Sequence, residues 1–139
     1  MLTIHIASAL LLRPDGALLL VRKRGTTRFM LAGGKIARGE TPLQAVVREL
    51  QEELGLQLPA SDFTPLGIFN APAANEPGHT VHAELFVADI DCAVQAAAEI
   101  EEVIWVRPDQ ELTVPLAYLA QHTAIPAWRS ILGERRKTA

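Results

Sequence analysis

Two apolar stretches near the start of the chain predict a β-hairpin. The first covers residues 3–12 and the second covers residues 17–22, and an Arg-Pro-Asp-Gly turn at residues 13–16 separates them. Proline followed by aspartate and glycine favours a tight turn, because proline restricts φ and glycine tolerates positive φ. Both stretches are apolar almost throughout, which is typical of strands that are buried on two faces. We therefore expect this hairpin in the middle of a layered fold.

Residues 41–55 have the pattern of an amphipathic helix. Apolar side chains recur at three- and four-residue spacing, at Leu43, Val46, Val47, Leu50 and Leu54. Thr41 is expected as the N-cap, with Pro42 at the first helical position and Gln44 completing a capping box. Gly55 follows the last apolar position and is expected to end the helix.

Beyond this helix, the pattern predicts three more strands and a terminal helix. The strands are expected at residues 63–69, 80–89 and 103–106. Residues 70–78 are rich in alanine, proline, asparagine and glycine, and they predict a long loop. Residues 114–132 are expected to be helical with a break near Pro126, and the polar residues 133–139 are expected to fray.

The order of these elements predicts the fold class. Three glycines within residues 33–39 predict a loop between the hairpin and the first helix. A strand-rich chain with a central and a terminal helix must cover its sheet on both faces. We therefore expect an α/β fold, a three-layer α/β/α sandwich with a central mixed β-sheet, built by residues 1–139 as a single domain.

Composition narrows the kinds of partner. The chain has 139 residues and a net charge of −3, which speaks against binding to a nucleic-acid polymer and leaves a small anionic ligand. Its one cysteine, Cys92, excludes an internal disulfide and a thiolate metal site. No apolar stretch approaches the ~18 residues of a membrane span, so we expect a cytoplasmic protein with no membrane partner. A homodimer stays open, with the apolar residues 114–132 as a contributing surface.

Three glutamates on the first helix suggest a metal site. Glu49, Glu52 and Glu53 are spaced i, i+3 and i+4, so they share one helix face. Like charges at this spacing repel one another unless a cation lies between them, and carboxylate oxygens suit Mg²⁺, Mn²⁺ or Ca²⁺ better than Zn²⁺. The alternative is a solvated acidic face with Arg48 and Arg22 nearby.

The residues around the three glutamates favour the metal site. At fixed spacing the chain carries Gly34, Glu40, Arg48, Glu49, Leu50, Glu52, Glu53, Gly55 and Leu56. This string resembles the complete Nudix box, and its wording is especially similar to that of the MutT-like branch, which cleaves nucleoside triphosphates. The resemblance covers residues 34–56 directly, and the preceding hairpin and the following strands fit the layout of the same family.

The resemblance implies a reaction and a set of roles. It implies a pyrophosphohydrolase that depends on Mg²⁺ or Mn²⁺ and cleaves a nucleoside diphosphate linked to another moiety, with nucleoside triphosphates preferred. Glu49, Glu52 and Glu53 would be the catalytic and metal-binding carboxylates, and the carbonyl of Gly33 would add a ligand. Either Glu53 or Glu49 would serve as general base. The support residues implied by the box are Gly34, Glu40, Arg48 and Gly55, with Glu40 and Arg48 as an ion pair.

Outside the box the assignments are more open. Some members of the family add a glutamate just before a late tryptophan-containing strand, and Glu102 is the candidate for the metal site, against a solvated loop as the alternative. Arg22, Arg28 and Lys35 are candidates for contacts with phosphate, and Asn75 for contact with base or sugar, against a surface role for each. Phe29 and Phe69 are expected in the core, although both residue types can stack on a base.

Two other functions stay open at this point. One is hydrolysis of ADP-ribose or a dinucleotide by the same reaction. The other is a non-catalytic nucleotide-binding module with the same fold. A full set of box carboxylates favours an enzyme over the binding module.

Overall fold

In the computed structural model, which describes residues 2–138, six strands form one mixed sheet. The strands are β1 (Leu2–Leu12), β2 (Leu18–Lys23), β3 (Ala32–Lys35), β4 (Thr64–Pro72), β5 (His79–Asp89) and β6 (Ile100–Val106). The helices are α1 (Pro42–Leu54) and α2 (Ile125–Thr138), with a short 3₁₀-helix at Ala60–Asp62 and a π-helix at Ala120–Ala124.

The first strand lies at the centre of the sheet. The order along the sheet is β4-β5-β1-β2-β6, with β1 parallel to β5 and the other neighbouring pairs antiparallel. β3 pairs with the first half of β1, where Ser8 lies opposite Gly33. The turn of the predicted hairpin brings Leu12 opposite Leu18, so the hairpin is confirmed. This central position explains why β1 is apolar on both faces.

Alternate residues of β1 serve two separate hydrophobic layers. Ala7, Ala9 and Leu11 pack into the cluster that contains Leu50 and Leu54 of α1. On the opposite face, Leu10 and Leu12 pack into the cluster that contains Trp128 of α2. The predicted three-layer α/β/α arrangement is therefore confirmed. Among residues 2–138, no helix is long and apolar enough to cross a membrane.

Helix α1 begins and ends where the sequence predicts. The Thr41 Oγ1 accepts a hydrogen bond from the Gln44 N–H at 3.1 Å, and the Gln44 side chain accepts one from the Thr41 N–H at 2.9 Å. At the other end Gly55 has a φ of +69° and donates its N–H to the Gln51 carbonyl at 3.0 Å. These contacts fix the first and last turns of the helix that carries the glutamates.

Strand β3 is absent from the sequence prediction, which placed a glycine loop there. Residues 32–35 instead form a strand that pairs with β1, and Gly33 lies opposite Ser8 in this pairing. Paired glycines lack the side-chain pattern by which a strand is recognised, so only tertiary pairing reveals it. β4 and β6 are also longer than predicted, since β4 extends to Pro72 and β6 starts at Ile100. The loop between β4 and β5 shortens to residues 73–78.

The C-terminal residues are ordered, and the prediction that they fray was wrong for residues 133–138. Helix α2 continues through them, and Arg135 holds Asp89 with two hydrogen bonds of 2.8 and 3.0 Å. Ala139 lies outside the described residues. The break expected near Pro126 takes the form of the π-helix that directly precedes α2, since a proline lacks the N–H of a regular helical bond.

Candidate active site

Gly33 joins the sheet to the carboxylate helix. Its backbone N–H donates a hydrogen bond to Oε1 of Glu53 at 3.1 Å. Its φ is +144°, and a Cβ at this position would fall on the carbonyl oxygen of Ala7 and within 2.6 Å of Ser8 Cα. Glycine is therefore the residue that lets β3 approach β1 closely enough to contact Glu53.

Glu53 is a buried carboxyl group with one oxygen unpartnered. The residue is 2% exposed, and Oε2 has no hydrogen-bond partner among the described residues. Burial raises the pKa of Glu53 from its ordinary 4.5 to about 7, while the Gly33 N–H opposes the rise and the charge of Glu49 adds to it. A buried polar atom without a partner is rare and points to a ligand or a proton at this position.

Glu49 and Glu52 are held by a single arginine. The Nη1 of Arg48 donates to Glu49 Oε1 at 2.9 Å and to Glu52 Oε2 at 3.3 Å. The Glu49 side chain is mostly buried and lies against Gly34, where a Cβ would come within 2.6 Å of its carboxyl carbon. The Glu52 side chain is 53% exposed. The glycine pair therefore makes room for two of the three glutamates.

Arg48 also anchors the loop before the helix. Its Nε and Nη2 donate to the two carboxylate oxygens of Glu40 at 2.6 and 2.9 Å, and Nη2 donates to the Lys35 carbonyl at 3.1 Å. This bidentate pair holds the pKa of Glu40 at about 2, chiefly through the hydrogen bond from Arg48. The ion pair suggested by the box is present, and it ties residues 35–40 to α1.

The carboxylate oxygens of Glu49, Glu52 and Glu53 suit a hard divalent cation, although the side chains do not converge on one point. Within residues 2–138, no three acidic, histidine or cysteine side chains converge closely enough to hold a metal ion. Nη1 of Arg48 lies between Glu49 and Glu52 and donates to both. The unpartnered Oε2 of Glu53 and the carboxylates beside it are oxygen ligands of the kind that Mg²⁺ and Mn²⁺ prefer.

Three ion pairs join the end of β2 to the start of β6 and the residue before it. They are Arg22 with Glu102 at 3.3 Å, Lys23 with Glu99 at 3.2 Å, and Arg24 with Glu101 at 3.5 Å. Glu102 thus lies opposite Arg22 and is engaged by it. The charge of Glu99 also raises the pKa of Glu53, after burial and the charge of Glu49, and the Ala97 N–H donates to the Glu53 carbonyl at 2.9 Å. Glu99 therefore acts on Glu53, while Glu102 as a metal ligand stays a prediction.

A cleft of about 100 Å³ opens on the other side of Gly33, on the α2 face of the sheet. Its walls include Ile4, Ile6, Ser8, Lys23, Met30, Gly33, Lys35, Asn75, Glu76, Val81 and Leu119. Lys35 and Asn75, two of the four proposed substrate contacts, therefore line this cleft, whereas Arg22 and Arg28 do not. Phe29 and Phe69 pack in the α2-side core, as expected.

Lys23 belongs to the basic stretch before the glycine loop, which the sequence analysis considered for contact with phosphate and from which it favoured Arg22. It lines the cleft, pairs with Glu99, and its positive charge lowers the pKa of Glu53. Its place in a run of basic residues gave no means of separating it from Arg22 and Arg24.

Known proteins share this sequence and fold. A family model described as the NUDIX domain matches residues 3–127. The CTP pyrophosphohydrolase of Escherichia coli K12 is 30% identical over 119 residues, which are 82% of this chain and 83% of the relative. The ADP-ribose pyrophosphatase of Methanocaldococcus jannaschii is 32% identical over 94 residues, which are 64% of this chain and 54% of the relative.

A solved structure extends the likeness to the whole fold. The MutT NUDIX hydrolase from Burkholderia pseudomallei has a TM-score of 0.74 to this chain at 24% identity, covering 94% of this chain and 98% of that one. The family match covers most of the residues that build the sheet and α1, including every position of the box. The chain therefore belongs to the Nudix family and is a hydrolase that acts on pyrophosphate bonds.

Proposed function

We propose that this chain hydrolyses nucleoside triphosphates to a nucleoside monophosphate and pyrophosphate, with Mg²⁺ or Mn²⁺ as cofactor. The observation that carries the proposal is the place of Gly33, which contacts the buried Glu53 through its N–H and also borders the cleft. A nucleotide with its base in the cleft would extend its phosphates past Gly33 toward the carboxylates of α1.

Four groups of this chain would hold the metal. They are the carboxylates of Glu49, Glu52 and Glu53 and the carbonyl of Gly33. When bound, a divalent cation neutralises phosphate charge and lowers the pKa of the attacking water. The unpartnered Glu53 Oε2 supports this assignment, because a cation would supply its missing partner. Arg48 holds Glu49 and Glu52 close together by donating to both carboxylates.

The general base stays between Glu53 and Glu49. Oε1 of Glu49 already accepts from Arg48, whereas Oε2 of Glu53 has no partner and is free to take a proton or a metal ion. We propose Glu99 as an acid outside α1 that acts at this site. The support is its charge effect on Glu53 and its pairing with Lys23 at 3.2 Å.

The cleft also carries the proposed substrate contacts. Lys23 and Lys35 line it, and within residues 2–138 the Lys35 ammonium has no ion-pair partner. Two lysines beside Gly33 would offset the charge of a triphosphate. Asn75 is exposed at the margin of the cleft, where its amide would bond to base or sugar.

We favour a nucleoside triphosphate over ADP-ribose as the substrate. The relative from Escherichia coli is named for its action on CTP, and it covers more of this chain than the relative named for ADP-ribose. A binding module without catalysis is disfavoured because the three glutamates of the box are intact.

A substrate panel tests the proposal. Purified protein with Mg²⁺ or Mn²⁺ is given nucleoside triphosphates, ADP-ribose and a dinucleotide, and phosphate, pyrophosphate and monophosphate are measured separately. We expect pyrophosphate and a nucleoside monophosphate from one or a few triphosphates. Turnover of ADP-ribose alone would move the substrate class, and ligand binding without any turnover would favour the binding module. A homodimer stays a prediction that sedimentation velocity would check.

A further inference from the structure

We infer that Ser8 is a specificity-determining residue, whose hydroxyl forms a hydrogen bond to a pyrimidine base held in the cleft. The inference rests on the proposed function and names the class of nucleotide that the enzyme prefers.

Ser8 is a buried polar side chain that borders an open space. The residue is 3% exposed and lines the cleft together with Ile4 and Ile6, which lie on the same face of β1. Its hydroxyl has no hydrogen-bond partner within the described part of the chain. The Ser8 hydroxyl is not among the fully buried atoms that lack a partner, so it is reached from the cleft, where water can bond to it. Because this hydroxyl lines a cleft, a ligand can supply the missing partner.

The surrounding residues argue against a packing role for the serine. On its own face of β1, Ser8 lies between Ile6 and Leu10, which belong to the apolar cluster on the α2 side, so a serine adds a polar group to an otherwise apolar face. Gly33 lies opposite Ser8, and a Cβ there would come within 2.6 Å of the Ser8 Oγ. The bare backbone of Gly33 therefore leaves the hydroxyl uncovered from the side of β3.

The dimensions of the cleft point to a single ring. A closed apolar cavity of ~150 Å³ holds benzene, and this cleft of about 100 Å³ is smaller and open on one side. Ile6, Val81 and Leu119 give it apolar walls against which a flat ring can pack. A serine hydroxyl both donates and accepts, so it can bond to a ring nitrogen or to a carbonyl of cytosine or uracil. A fused purine ring is larger and would have to extend further out of the open side of the cleft.

The test compares Ser8→Ala with the unaltered enzyme on CTP, UTP, ATP and GTP. For the unaltered enzyme we expect a higher kcat/KM with CTP and UTP than with ATP and GTP. In the variant, kcat/KM for the two pyrimidine nucleotides should fall by about three- to tenfold, mainly through KM, as expected for one hydrogen bond. The purine nucleotides should change by less than about twofold. The melting temperature should change little, because the Ser8 hydroxyl has no protein partner to lose.

Ser61→Ala is the matched control, since Ser61 is exposed on the short 3₁₀-helix far from the cleft walls. A purely structural serine would lower the melting temperature and reduce kcat for all four nucleotides alike, which would overturn the inference. Faster turnover of purine nucleotides by the unaltered enzyme would overturn it as well, while the proposed function would stand.

Binding of a product keeps the two proposals separable. If no triphosphate is hydrolysed, the proposed function fails, and calorimetric titration with CMP and AMP still tests Ser8. Tighter binding of CMP than AMP, with a three- to tenfold loss for CMP in Ser8→Ala, would support the inference. Equal affinities, or no effect of the substitution, would refute it.

Discussion

Oε1 of Glu53 accepts a hydrogen bond from the backbone N–H of Gly33 at 3.1 Å, so a buried helix carboxyl group is fixed by the sheet. The other oxygen of the same carboxyl group has no partner among residues 2–138. This asymmetry orients Glu53, because Gly33 holds one carboxylate oxygen and the other oxygen has no protein partner among the described residues. The resulting site lies between α1 and β3, next to the cleft.

A substitution at Glu52 should affect catalysis with little effect on folding, because the Glu52 side chain is 53% exposed. Glu52→Gln keeps the size of the side chain but removes a proposed metal ligand. We expect kcat to fall by about a hundredfold or more. Even residues that only hydrogen-bond to a metal ligand reduce activity or metal affinity by about 10- to 100-fold when they are removed. The melting temperature without metal should change little. Steady-state kinetics with Mg²⁺ and a thermal melt in EDTA measure the two effects.

Glu134→Gln provides the comparison for Glu52→Gln, since Glu134 is exposed on α2. It removes the same charge without touching α1, so its kinetics should match those of the unaltered enzyme. If Glu52→Gln also retained full activity, the assignment of Glu52 to the metal site would be wrong.

Helix α1 was predictable from the sequence in detail, whereas its partner strand β3 was not. Thr41, Gln44 and Gly55 act through neighbours a few residues away, so their contacts follow from local spacing. Gly33 acts through Ser8 and Glu53, which are distant in sequence, and a glycine carries no side-chain pattern to announce such contacts.

The raised pKa of Glu53 predicts that the metal-free protein becomes less stable as the pH rises. Its pKa is about 7 in the folded protein, against an ordinary 4.5. Between these values the unfolded chain has released the proton and the folded protein has kept it, so the free energy of unfolding falls as pH increases. The loss is roughly 3 kcal/mol at most and is complete somewhat above pH 7. Urea denaturation in EDTA from pH 5 to pH 8.5 measures it.

Glu53→Gln isolates this contribution from the four histidines, which titrate in the same pH range. The variant should unfold with a flatter pH dependence and should be more stable than the unaltered protein at pH 8. Mg²⁺ should restore stability at pH 8 to the unaltered protein and not to the variant. Parallel pH profiles for the two proteins would show that Glu53 ionises normally and would remove the basis of this prediction.

Arg48 is expected to matter both to the loop and to the glutamates. Arg48→Ala would leave the carboxylates of Glu40 and Glu49 without the guanidinium that donates hydrogen bonds to both. We expect the melting temperature to fall by about 5 °C and activity to be largely lost. Arg48→Lys should recover part of the stability, because an ammonium keeps the charge and lacks the planar fork.

Arg129→Ala is the control for charge alone. Arg129 is exposed on α2 and has no ion pair within the described residues, so its loss should leave the melting temperature unchanged. If Arg48→Ala were equally silent, the bidentate contact with Glu40 would contribute nothing to the fold, and the role of Arg48 as an anchor would be refuted.

The two glycines of β3 should respond differently to alanine because they meet different atoms. A Cβ on Gly33 would meet the backbone of Ala7 and Ser8 at a φ of +144°, and neither obstacle can move aside. Gly33→Ala should therefore destabilise the protein by more than about 3 kcal/mol. A Cβ on Gly34 would meet only the carboxylate of Glu49, at 2.6–2.8 Å, and that side chain can rotate away. Gly34→Ala should fold with a small loss of stability.

The cost of Gly34→Ala should instead appear in catalysis, because a displaced Glu49 no longer lies where the metal site needs it. We expect kcat to fall by about a hundredfold with near-normal urea denaturation. Gly133→Ala supplies the control: Gly133 lies in α2 with open space around it, so alanine should stabilise the protein by up to about 1 kcal/mol. Full activity of Gly34→Ala would mean that Glu49 tolerates displacement, and its assignment as a metal ligand would then fail.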